Sequence, residues 1–201
     1  MPSNPTPSTA IGTIRSHHGL LCQLFLDSPL ASGTNRDLWV LPVTPDGKAD
    51  PAGQPRPYLL TPFNERYGRF SPEPSPRWVT YDSDESGRYE VYIQTYPEPK
   101  GKWQISTGGG QYPAWSPDGR EIFYVSAASK LMSVKLRVDA DVVAPSTPVA
   151  LFEVDDQGFS APPYAVAPDG KRFLVRVPVE SGGQPLEVIL NWPALLKKSA
   201  E

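Results

Sequence analysis

One turn recurs along this chain, always between two apolar segments. WSPDGREIFY occupies 115–124 and VAPDGKRFL occupies 166–174. FSPEPSPRWVTY at 70–81 is the same pattern with its turn altered and lengthened, and SHHG at 16–19 is a degraded copy. In Pro-Asp-Gly the proline fixes φ, the aspartate bonds back to the backbone, and the glycine takes a positive φ. The Ser or Ala that opens each turn falls at 16, 71, 116 and 167, giving spacings of 55, 45 and 51. Composition agrees: 25 prolines and 16 glycines make up about a fifth of the chain, and long helices do not absorb that many breakers. The chain reads as short strands joined by many turns.

The segments around each turn follow one order. A short strand ends in a large apolar residue (Phe70, Trp115, Val166), and a second strand follows the turn, as at 121–125 or 172–177. After another hairpin loop comes a third strand at 37–43, 90–95, 131–137 or 187–191, and an outer one follows at 58–61, 103–106 or 149–154. Four strands in hairpin order, repeating roughly every 40–50 residues, are the sequence signature of a β-propeller blade. The expected fold is therefore all-β, with about four blades of four antiparallel strands in a partial or open propeller. Residues 1–10 are expected as a disordered tail and 11–198 as one domain, with blades near 11–62, 63–107, 108–154 and 155–198. The last blade runs out near Trp192, and the proline-rich start is a poor strand donor. Unclosed edges then invite a homodimer.

WSPDGREIFY, FSPEPSPRWVTY and VAPDGKRFL resemble the repeat of the TolB-type, WD40-like propeller family. SDESGRYEVYI at 83–93, GKWQISTGG at 101–109 and VILNWPALLKK at 188–198 resemble one subset of it, the C-terminal propeller of bacterial serine/threonine kinases. The resemblance covers about 36–198. It implies a propeller module attached to, or derived from, a larger kinase-associated protein. Kinase signatures themselves are missing: no Gly-rich loop before a lysine strand, no His-Arg-Asp and no Asp-Phe-Gly.

Several chemistries find no support in the sequence. A lone cysteine, Cys22, forms no internal disulfide or clustered-cysteine zinc site and reads as packing in an apolar strand. A net charge of −3 gives no reason to expect nucleic acid. No apolar run approaches a membrane span, and MPSNPTPSTA lacks the basic-then-apolar order of a secretory signal. A cytoplasmic setting is thus the default, and an extracytoplasmic one follows if the module belongs to a membrane receptor kinase. His17 and His18 are adjacent, so on a strand they point to opposite faces. No Gly-x-Ser-x-Gly elbow is present. The acidic groups 82–85, 139–141 and 155–156 lack the spacing of a calcium loop and read as solvated hairpin tips. Asp118 and Asp169 read as caps of their own turns, and Gly108–Gly110 as a flexible link. No cofactor and no metal site is expected. Tyr67, Tyr112 and Tyr164, placed just before inner strands, are the candidate contacts for a ligand or partner. The expected function is non-catalytic protein or peptide binding and scaffolding. A small-ligand sensor domain, or a propeller hydrolase or lyase using polar residues at a channel mouth, are the alternatives.

Overall fold

Short β-rich segments punctuated by Pro and Gly turns form the strands of this chain. The computed structural model describes residues 22–26, 36–42, 53–139, 142–156 and 161–177. Strands β1 (Cys22–Leu26), β2 (Asp37–Leu41) and β3 (Arg56–Leu59) make the first sheet. The second contains β4 (Glu65–Phe70), β5 (Trp78–Ser83), β6 (Glu90–Thr95) and β7 (Lys102–Gln104). The third contains β8 (Gly110–Trp115), β9 (Glu121–Ser126), β10 (Lys130–Asp139), β11 (Val142–Pro145) and β12 (Val149–Glu153). A fourth pairs β13 (Tyr164–Val166) with β14 (Phe173–Val175). All pairings are antiparallel and no sheet closes on itself. Among the described residues there is no helix, so the fold is all-β, as the sequence implies.

The recurrent turn has the structure its residues dictate. Gly119 N–H donates to Ser116 O at 2.9 Å with φ at +70°, and Gly170 N–H donates to Ala167 O at 2.9 Å. Asp118 Oδ1 accepts from the Ser116 hydroxyl at 2.6 Å and from Arg120 N–H at 3.1 Å, while Asp169 Oδ1 accepts from Lys171 N–H at 3.0 Å. Both aspartates cap their own turns, the Asx geometry that favours this residue. The turns also touch one another. A Cβ on Gly119 would lie 3.3 Å from Pro72 of the preceding turn, and one on Gly170 would lie 3.1 Å from Pro117. Each turn proline thus seats the next turn's glycine.

The sheets stack face to face in chain order, which explains why their central strands are buried on both sides. On β5 and β6, Val79, Tyr81 and Tyr92 pack with Leu38, Val40, Tyr58 and Leu59 of the first sheet. Trp78, Val91 and Ile93 point the other way, onto Ile122, Tyr124 and Val134 of the third sheet. Phe123, Val125 and Leu131 then turn toward the fourth sheet, against Tyr164, Phe173 and Val175. This is the period-2 alternation of a strand with a core on each face.

Some details differ from the sequence expectation. β10 is ten residues long and, besides β9, pairs with β12 along its first half and with β11 along its second, so the third sheet has a strand that spacing alone does not reveal. Phe70 and Trp115 are only half-buried, whereas Trp78 is 3% exposed. Gly108–Gly110 is a tight connection: Gly109 N–H donates to Glu90 Oε1 at 2.8 Å, and a Cβ on Gly110 would lie 2.5 Å from Ser106 Oγ. The 1–10 tail, His17 and His18, the third strand at 187–191 and the 188–198 ending lie outside the described residues. Cys22 opens β1. No described helix is long and apolar enough to cross a membrane.

Candidate functional site

At matching places in β4 and β8 two residues face one on the neighbouring strand. Arg66 pairs with Asp82 and Arg69 with Thr80, leaving Tyr67 and Gly68 opposite Tyr81. Gln111 pairs with Val125 and Ala114 with Phe123, leaving Tyr112 and Pro113 opposite Tyr124. These are β-bulges. Tyr67 has φ +51° and Tyr112 φ +58°, left-handed values that bulky residues rarely adopt. Sequence reading places both tyrosines ahead of their strands; in the structure each sits within one, at the bulge.

Tyr112 joins three sheets. Its N–H leaves the β8 ladder and donates to Asp82 Oδ2 on β5 at 3.0 Å. Its carbonyl accepts the Tyr164 hydroxyl of β13 at 2.7 Å. The Tyr67 and Tyr112 rings meet at 4.8 Å between centroids, tilted by 60°. The three candidate tyrosines therefore come together. Tyr112 and Tyr164 are buried, and Tyr67 is half-buried.

Around them lies a set of charged groups that sequence reasoning missed. Asp82 is fully buried, not a solvated hairpin tip. Its Oδ1 takes Arg66 Nε–H at 2.9 Å, so both carboxylate oxygens are engaged. Burial pushes the Asp82 carboxyl up to about 6, against the opposing pull of Arg66 and the Tyr112 N–H. Arg66 also donates to Gln111 Oε1 at 2.9 Å and lies 3.4 Å from the centre of the Tyr89 ring, a cation–π contact. Arg69, on the same strand, has no such set. Its Nη1 donates to Gly68 O at 3.1 Å, and burial holds its guanidinium below its usual range, with the Tyr164 and Tyr67 phenols the titratable groups facing it. Burial likewise raises the phenols of Tyr67 and Tyr164. The one hint in the sequence was FSPEPSPRWVTY followed directly by Asp82. An acid at the end of a strand buried on both faces has to find a partner.

The other two acids of the 82–85 group are also bound. Asp84 accepts from Asn64 N–H at 2.9 Å and from its side-chain amide at 2.6 Å, and Glu85 pairs with Lys102 at 2.6 Å. Among the described residues no three His, Cys, Asp or Glu side chains come together as metal ligands. A cleft of about 720 Å³ lies between the turns at 116–121 and 168–171, and none of the three tyrosines lines it. Its aspartates are spent on their own turns and on Arg172, at 2.8 Å from Asp169. The tyrosine–arginine cluster is therefore the better candidate. It offers aromatic faces, a strained backbone and a cation, features that cluster at ligand contacts. No protein-family model and no curated protein matches this chain.

Proposed function

We propose that this chain is a non-catalytic module of TolB-like propeller blades that binds a protein or peptide at the Tyr67–Tyr112–Tyr164 cluster. Four antiparallel sheets following one another in chain order support the blade reading. The observation that carries the binding reading is the repeated bulge, which sets two tyrosines in left-handed backbone against each other where three sheets meet. Backbone strain of this kind persists only where the surroundings enforce it, and such strain concentrates at ligand contacts. Aromatic rings are in turn the commonest anchors of protein interfaces.

The reading extends to self-association through the exposed face of the fourth sheet, and to membership of a larger sensor or kinase-associated protein. A kinase and a spanning helix encoded upstream in the same gene would support that membership. Panning a displayed peptide library against the purified chain tests the binding. Enriched peptides are expected to lose roughly tenfold in affinity with Tyr67→Ala, the penalty of removing an interface aromatic, while far-UV circular dichroism stays unchanged. No enrichment, or affinity indifferent to Tyr67, overturns the reading.

A further inference from the structure

Two arginines share strand β4 and meet opposite fates. Arg66 has a carboxylate, an amide oxygen and an aromatic face within reach. Among the described residues the Arg69 guanidinium has one hydrogen bond, to the carbonyl of its own neighbour Gly68, and no ion pair. It is nonetheless half-buried, on the inner strand where the second, third and fourth sheets approach. A guanidinium stays charged at any pH a protein meets, and taking it from water without a counter-charge is costly.

The described groups around Arg69 do not supply that charge. Tyr164 and Tyr67 face it as neutral phenols, and the Tyr164 hydroxyl is committed to Tyr112 O. Asp82, the buried acid of this region, is bound to Arg66 and Tyr112. Trp115 Nε1 donates to the Arg69 carbonyl at 3.1 Å, which fixes the backbone from which the side chain extends.

We propose that Arg69 is an anion-recognition residue, its planar fork receiving a carboxylate of the bound partner beside the Tyr67 ring. A carboxylate matches one guanidinium in shape and in charge. A phosphate carries nearly two negative charges and seeks several cations, and the other arginine of this strand, Arg66, is already neutralised by Asp82. The peptide as carrier of the carboxylate rests on the function proposed above; the anion site itself does not.

Nitrogen-15 NMR of the arginine Nε–H signals separates the two claims. Acetate, inorganic phosphate and chloride are titrated into the intact chain, followed by an enriched peptide with a free carboxylate and its amidated counterpart. The Arg69 Nε–H signal is expected to shift saturably with acetate and more weakly with phosphate, and Arg66 to stay put. Arg69→Lys keeps the charge without the fork and is expected to weaken acetate binding roughly tenfold; Arg69→Met abolishes it. A response to acetate without any peptide binding upholds the site and sinks the peptide reading. Peptide binding that ignores both amidation and Arg69→Lys upholds that reading and sinks the site. A stronger response to phosphate overturns the choice of carboxylate, and no response to any anion overturns the proposal outright.

Discussion

Glu65 begins β4 with one carboxylate oxygen taking the Thr61 hydroxyl at 2.5 Å and the other with no hydrogen-bond partner, in a side chain 1% exposed. Burial pushes its carboxyl up to about 7, helped by the nearby charges of Asp37, Glu85 and Asp84 and opposed by the Thr61 bond. Because the folded protein holds this proton more tightly than the unfolded chain, stability falls as pH rises from the ordinary glutamate range to about 7, and levels off above it. Glu65→Gln removes the ionisation and keeps the acceptor for Thr61. It is expected to gain on the order of 2 kcal/mol at pH 8, discounted from the full linkage value, and nearly nothing at pH 4.5. Urea unfolding at the two pH values checks this, and equal gains at both would show that the burden is not protonic. A sequence does not disclose such a residue. Glu65 stands in ERYGRF, where polar and apolar residues mix without a clean alternation, and its burial comes from sheet stacking that no local pattern records. Asp82 was missed for the same reason.

At the scale of elements, the turns were legible and the bulges were not. Pro-Asp-Gly carries its backbone geometry in its own residues, so the caps at Asp118 and Asp169 follow from sequence alone. The bulges at Tyr67 and Tyr112 put a tyrosine, not a glycine, in the left-handed position, and the Tyr112 bulge is tied to partners in other sheets. β11 escaped because its register is set by the length of β10, which reads as an ordinary strand. Two tests follow. Asp82→Ala strands Arg66 and the Tyr112 N–H together and is expected to cost about 3–5 kcal/mol in chemical unfolding, the range for breaking a buried pair on one side. Asp82→Asn keeps an acceptor for Tyr112 and is expected to cost less. A loss below that of a surface substitution would remove the tie between the second and third sheets. The seating of turn on turn is tested with two glycines. Gly119→Val meets both a positive φ and Pro72, whereas Gly87→Val meets a positive φ with open space around it. The first is expected to cost about 2 kcal/mol or more and the second clearly less, the conformational part being about 1–2 kcal/mol. Equal costs would mean that Pro72 contributes nothing to the stack.

For the whole molecule, the last described sheet leaves large apolar side chains open. Leu174 occupies the place on the fourth sheet that Phe123 holds on the third and Thr80 on the second, each paired with the residue one step before the turn on the preceding strand. Phe123 is 2% exposed and Thr80 0%, because the next sheet lies over them, yet Leu174 is 76% exposed. Val177 and, on the outer strand of the third sheet, Val149 are also open. Large apolar side chains this exposed make a surface suited to association, and a second copy of the chain supplies the same kind of face. Self-association through the fourth sheet is therefore expected, and light scattering of the purified chain should give twice the mass of one copy. Leu174→Glu should return a single-copy mass with unchanged circular dichroism, since the residue contributes little to the core of its own chain. A wild-type chain that scatters as one copy would rule out the association, and a Leu174→Glu variant that still scatters as two would place the contact elsewhere and leave this face without a role in assembly.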